Sequence, residues 1–245
     1  MRSKAVIAFL LSARLFGLSP VFFGLSLALP ATASAQIDEY QEGAWYMYFW
    51  NTRFEDSNWG LQGDVQYRDW DILGDMEQRL LRGGLTYTPD SFNATFTLGA
   101  ANVATGEFGD SDDTFDENRI YQEMLIPYRI FDWVYLRHRF RSEQRWVDDQ
   151  DFRTRYRYAI FADVPLNRND LGPGAFYLSV YNELFINGEK DIGNGRRVDT
   201  VDRNRLYGGI GYTLNNNMRL QFGYMEQSAQ QFDKAQWQFS LHHSF

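Results

Sequence analysis

Arginines spaced two residues apart are the most chemically distinctive feature of this chain. Residues 135–146 read YLRHRFRSEQRW, and residues 152–158 read FRTRYRY. Alternate residues of a β-strand point to the same face, so each stretch predicts a strand with one arginine-rich face. Guanidinium groups pair with carboxylates and attract anions. The pattern therefore indicates either a network of internal ion pairs or a positively charged surface.

Short stretches of alternating apolar and polar residues make up the chain after its first 35 residues. Turn-forming residues separate them, and no amphipathic helical pattern stands out. We predict strands at about 44–54, 57–69, 77–88, 93–104, 117–128, 132–146, 152–164, 175–186, 203–214, 217–227 and 237–245. The connections after the odd-numbered strands are short, and those after the even-numbered strands are longer or more polar. This combination is typical of a closed transmembrane β-barrel.

The two ends of the chain carry signals of export and membrane assembly. Residues 1–35 begin with two basic residues, Arg2 and Lys4, which precede a long apolar run and a small-residue cleavage site. This order predicts a secretory signal peptide and leaves 36–245 as the barrel domain. The closing stretch WQFSLHHSF resembles the final strand by which outer-membrane barrels are recognised. That resemblance implies recognition by the barrel-assembly machinery through Trp237, Phe239, Leu241 and Phe245.

A barrel in lipid must keep its arginines inside. At the bilayer midplane an outward arginine costs about 2–4 kcal/mol. We therefore expect the arginine-bearing faces to line an enclosed lumen. The candidate lumen cations are Arg119, Arg137, Arg139, Arg141, Arg145, Arg153, Arg155, Arg157, Arg203, Arg205 and Arg219, and the candidate carboxylate partners are Glu123, Glu143 and Glu183.

The number of strands is an open point, because bacterial single-chain barrels nearly always have an even number and eleven are recognisable here. One missed or merged strand would give twelve, which we favour, and one spurious strand would give ten. In a third alternative, residues 36–43 thread the arginine-lined lumen in extended form.

Bulk properties narrow the class of protein. The 245-residue chain has no cysteine and a formal net charge of −8, so neither a disulfide scaffold nor a nucleic-acid-binding protein is expected. The mean hydropathy of −0.47 argues against helical membrane spans in the mature protein. No ligand spacing for a metal and no phosphate-binding loop is evident, so we expect no metal and no cofactor.

Catalysis has little support in the sequence. The chain has only three histidines, and His242 shares the inward face of its strand with Ser240 and Ser244. We expect residues two apart on one strand to lie too far apart for easy contact. A serine nucleophile also needs a base and a third, orienting group.

Several stretches carry a family resemblance that covers nearly all of residues 43–245. They read SNWGLQGDVQYR, LRGGLTYT, ENRIYQE, RHRFRSEQRW, RTRYRY, YNELFIN, NRLYGGIGY and MRLQFGYMEQ. The chain resembles a family of uncharacterised outer-membrane β-barrel proteins that is defined only as a domain of unknown function. The resemblance implies a barrel and no established activity.

These observations predict an all-β, closed, antiparallel transmembrane barrel of about 12 strands (10–12) in the outer membrane of a Gram-negative bacterium. The expected function is that of a passive small-solute channel with an arginine-rich, anion-preferring lumen, or of a barrel with a closed lumen. One alternative is an outer-membrane lipid-modifying hydrolase. Another is a barrel that binds a partner through the outer loops 105–117 and 187–201. The only other expected partner is membrane lipid, and the oligomeric state stays open.

Overall fold

Eleven β-strands form the described part of the chain. The computed structural model describes residues 42–109, 113–229 and 233–245. The strands are β1 (Glu42–Arg53), β2 (Trp59–Asp69), β3 (Met76–Tyr87), β4 (Thr95–Gly106), β5 (Thr114–Ile130), β6 (Val134–Val147), β7 (Arg153–Pro165), β8 (Phe176–Asn187), β9 (Val201–Thr213), β10 (Met218–Ala229) and β11 (Asp233–Ser244). No helix within these ranges is long and apolar enough to cross a membrane.

The strands close into one barrel in chain order. Each strand from β1 to β11 pairs antiparallel with the next, and β1 also pairs with β11. All eleven predicted strands are present, whereas the favoured count of twelve is not found in the described residues. The expectation of a wholly antiparallel barrel is wrong at one place, because β1 and β11 run parallel. With an odd number of alternating strands, the first and last must point the same way.

Ring contacts cross this parallel seam. The ring of Tyr46 on β1 stacks on that of Phe239 on β11, with centroids 5.4 Å apart. The hydroxyl of Tyr48 lies 3.0 Å from Nδ1 of His243. The backbone N–H of Phe245 donates to the carbonyl of Asn51 at 2.9 Å. Cross-strand aromatic pairs stabilise sheets, so these contacts help to close the barrel.

The two faces of the barrel wall have opposite chemistry. Arg155 and Glu143 on the inner face are 4% and 1% exposed, whereas Leu81 and Leu98 on the outer face are 58% and 60% exposed. Other exposed apolar residues of the strands are Leu61, Val65, Leu85, Ile120, Phe140, Leu206, Ile210, Leu220, Phe222 and Phe239. The molecule is therefore polar inside and apolar outside, which is the reverse of a water-soluble domain.

Glycines give inward-facing tyrosines room against the wall. Tyr177 on β8 pairs with Gly211 on β9, and a Cβ at Gly211 would overlap the tyrosine ring. A Cβ at Gly99 on β4 would overlap the ring of Tyr121 on β5 in the same way. These tyrosines consequently lie flat along the wall and leave space in the barrel interior.

The connections gather at two ends of the barrel. Among the described residues, the upper end holds 70–75, 107–109, 148–152 and 188–200, and the lower end holds 54–58, 88–94, 131–133, 166–175 and 214–217. The longest connection, 188–200, lies in the predicted long set. The expected difference in length between the two ends does not hold throughout. The connection 166–175 follows an odd-numbered strand and was expected to be short, but it is longer than 148–152, which follows an even-numbered strand. The predicted signal peptide and most of the predicted threading segment 36–43 lie outside the described residues. Residues 42 and 43 begin β1.

Candidate functional site

A cavity of about 480 Å³ lies inside the barrel. Its wall includes four carboxylates, those of Asp64, Glu117, Glu123 and Glu183. Twelve arginines also line it, namely Arg68, Arg82, Arg119, Arg137, Arg139, Arg141, Arg145, Arg153, Arg155, Arg157, Arg203 and Arg205. Positive charge therefore exceeds negative charge on this wall.

The structure brings most of the predicted site residues to this cavity. Ten of the eleven candidate arginines line it, together with Glu123 and Glu183. Glu143 also lies on the inner face, but it is 1% exposed and does not line the cavity. Arg219 is half-buried near the lower end of β10 and does not line the cavity.

Glu143 is the most heavily engaged carboxylate on the inner face. Its Oε2 accepts from Nε and Nη2 of Arg155 at 2.8 and 2.6 Å. Its Oε1 accepts from Nη1 of Arg157 at 2.7 Å. Nε of Arg157 also donates to Glu183 at 2.8 Å, so one guanidinium joins two carboxylates. Charge-assisted bonds of this kind are among the strongest in proteins.

Two further arginines extend these contacts into a closed ring of alternating charge. Arg139 donates to Glu183 at 2.5 Å and lies 3.8 Å from Glu123. Arg141 binds Glu123 through Nε at 2.7 Å and lies 3.8 Å from Glu143. The ring, here called the charge ring, consists of Glu123, Arg139, Glu183, Arg157, Glu143 and Arg141. Its three arginines and three carboxylates balance, so the surplus charge of the wall lies elsewhere.

Near the upper end, one carboxylate serves two arginines. Glu117 accepts from Nε and Nη2 of Arg119 at 2.6 and 2.7 Å. It also accepts from Arg145, whose Nη2 lies 2.9 Å from Oε2. Arg153, directly opposite Arg145, has no hydrogen bond or ion pair within the described residues. Three arginines and one carboxylate therefore leave part of the positive surplus here.

Aromatic rings stabilise arginines that lack a carboxylate. Arg205 bonds only to Gln227 among the described residues, and its guanidinium lies 4.8 Å from the ring centroid of Trp45. Arg68 covers the same ring at 3.8 Å. Cation–π contacts attract a guanidinium without neutralising it. Both guanidinium groups line the cavity without a carboxylate hydrogen-bonded to them in the described residues.

The sequence analysis missed several inward charged residues. Nε of Arg82 bonds to Asp64 at 2.8 Å, and Lys234 binds Glu77 near the upper end. Arg68 and Glu117 also belong to this set. The same spacing of two residues could have identified them. In QGDVQYR, Asp64 and Arg68 alternate with outward residues.

Ser240 and His242 meet at the lower part of the cavity. Oγ of Ser240 lies 3.1 Å from Nε2 of His242, so the expectation that these residues are too far apart is wrong. The imidazole stacks on the ring of Phe49, with centroids 4.8 Å apart. In the described residues no acceptor bonds to Nδ1 of His242, so the orienting third group of a catalytic triad is missing.

No group of three or more His, Cys, Asp or Glu residues in the described ranges has the arrangement of a metal site. The inner face offers instead forked hydrogen-bond donors and positive charge. The chemistry that this arrangement supports is the binding or passage of anions.

Fold and site together define a class of protein: a closed eleven-stranded β-barrel with an apolar exterior and an arginine-lined interior cavity. The family described as "Protein of unknown function (DUF2490)" matches residues 42–238, so the chain belongs to that family. This confirms the predicted membership of an uncharacterised family. No curated protein and no solved structure matches the chain.

Proposed function

We propose that this protein is an integral outer-membrane β-barrel whose lumen conducts small anions. The apolar outer face supports membrane insertion, since large exposed apolar surfaces mark contact with lipid or with another protein. In this proposal the lower end, where β11 ends, faces the periplasm. The aromatic side of β11 with Trp237, Phe239, Leu241 and Phe245 meets the barrel-assembly machinery during insertion.

The charge of the cavity wall is the observation that carries the proposal. Twelve arginines and four carboxylates line the cavity. Glu143, Asp163 and Asp202 do not line it but pair with lining arginines, and counting them still leaves a net positive charge. A charged, low-dielectric passage concentrates ions of the opposite sign and repels those of its own sign. Chloride and small oxoanions are therefore the favoured solutes.

Ion selectivity in planar bilayers tests this function. With purified protein in a KCl gradient, we expect a reversal potential of the sign that chloride permeation produces. Arg205→Gln removes a cation that has no carboxylate partner among the described residues, so the chloride preference should fall several-fold. Arg168→Gln is the matched control, because Arg168 is exposed in the 166–175 connection.

Two results would contradict the anion channel. Potassium selectivity would reject it directly. Inserted protein without conductance steps would instead favour the closed barrel, for which the balanced charge ring across β5–β8 is the supporting observation.

A lipid-modifying hydrolase is the second candidate, favoured by the 3.1 Å contact between Ser240 and His242. If this pair is reactive, a fluorophosphonate probe should label the folded protein and fail to label Ser240→Ala. Ser179→Ala is the control, since Ser179 is another buried inward serine and bonds to Asp163 at 2.7 Å. Absent labelling, or equal labelling of all three proteins, would reject this candidate. Partner binding through loops 105–117 and 187–201 remains a further proposal.

A further inference from the structure

Three arginines stand side by side near the upper end of the inner face. Arg119 on β5 is the direct partner of Arg145 on β6, and Arg145 is the direct partner of Arg153 on β7. Like charges directly opposite each other destabilise a sheet. The row therefore needs negative charge from another source to be stable.

In the part of the chain that the structure describes, two carboxylates near this end supply only part of that charge. Glu117 takes the Nε and Nη2 donors of both Arg119 and Arg145. Asp202, also near this end, is bound by Arg203 at 2.8 Å and lies 3.6 Å from Arg155. Neither carboxylate forms a hydrogen bond or ion pair with Arg153.

Arg153 is buried in spite of this. Its side chain lines the cavity and is 8% exposed, and its Nε is inaccessible and without a hydrogen-bond acceptor in the described residues. An unsatisfied donor of a charged group carries a substantial desolvation cost. A bound anion on the cavity side of Arg153 would supply negative charge that the row lacks.

We propose that Arg153, together with Arg145, forms a binding site for a phosphate group carried by a small soluble molecule. A guanidinium presents parallel N–H donors that match two oxygens of an oxoanion, and a halide cannot use both in this way. A cavity of about 480 Å³ is large enough for inorganic phosphate or a small phosphomonoester. The inference rests on the proposed function in one respect: the ligand enters through the lumen.

Calorimetric titration of the folded, detergent-solubilised protein with inorganic phosphate tests the site at constant ionic strength in chloride. We expect saturable binding to the unaltered protein. Arg153→Gln should weaken it by about tenfold or more, because a charge-assisted pair of hydrogen bonds is lost. Arg153→Lys keeps the charge but loses the fork, so it should also bind phosphate less tightly. Arg168→Gln should bind as the unaltered protein does.

The outcomes separate this site from the proposed channel. Absence of saturable phosphate binding, or binding that Arg153→Gln and Arg153→Lys leave unchanged, overturns the site. A protein that conducts chloride but binds no phosphate loses the site and keeps the channel. A protein that binds phosphate through Arg153 and shows no conductance keeps the site and loses the channel. Retention of the heat-modifiable folded band on gels verifies that each variant is folded; if Arg153→Gln does not fold, Arg153→Lys decides.

Discussion

Replacing Glu143 by glutamine lowers the free energy of unfolding by about 3–5 kcal/mol, the usual cost of removing one partner of a buried ion pair. Glutamine has nearly the same shape, so the substitution removes charge rather than volume. Arg155 and Arg157 each lose a charged acceptor in a place where water cannot replace it, because Glu143 is 1% exposed. Equilibrium unfolding in lipid vesicles, followed by tryptophan fluorescence, measures the change.

The exposed Glu55 provides a charge-matched control for this prediction. Glu55→Gln lies in the connection after β1 and should change the unfolding free energy by no more than about 0.5 kcal/mol, as is usual for surface substitutions. The double variant Glu143→Gln/Arg155→Gln removes one charge of each sign. It should therefore be more stable than the sum of its single variants predicts. A small effect of Glu143→Gln, together with a double variant whose stability equals the sum of the two single changes, would show that the charge ring does not hold these strands together.

The face on which each arginine lies was predictable from spacing alone. In RTRYRY the arginines at 153, 155 and 157 alternate with outward residues, and the structure places all three on the inner face. The two-residue period of a β-strand determines the face, since a shift by one residue would turn every arginine outward.

The partners of the same arginines were not predictable. Arg153 and Arg155 have the same local pattern, yet one is opposite Arg145 and the other opposite Glu143. This difference comes from the cross-strand register of β6 and β7, which the turn at 148–152 fixes and which single-strand periodicity does not contain. The free guanidinium of Arg153 is a product of register.

Strand ends and closure are further limits of the sequence pattern. The closing strand begins at Asp233 rather than at 237, because Asp233, Lys234 and Gln236 lack the apolar alternation on which the prediction relied. Pairing with β10 extends the strand over these residues. The parallel pairing of β1 with β11 joins residues at opposite ends of the chain, which no local pattern contains. The local patterns indicated eleven strands, and only the general rule of an even count favoured twelve.

Replacing Leu81 by arginine tests the membrane placement and should cost about 2–4 kcal/mol of stability in a lipid bilayer. Leu81 lies midway along β3 on the outer face and is 58% exposed, opposite Val65 on β2. In a bilayer its surroundings are hydrocarbon, and a guanidinium there loses its hydration without gaining a partner.

Leu73 is the matched control for this substitution. It is 78% exposed in the 70–75 connection at the upper end, outside the strands. Leu73→Arg should therefore unfold in phospholipid vesicles at the same urea concentration as the unaltered protein, whereas Leu81→Arg should unfold earlier. Equal stability of the two variants would mean that water, not lipid, surrounds the outer face. The burial of the arginines would then need another explanation, because a barrel surrounded by water normally exposes charged residues and buries apolar ones.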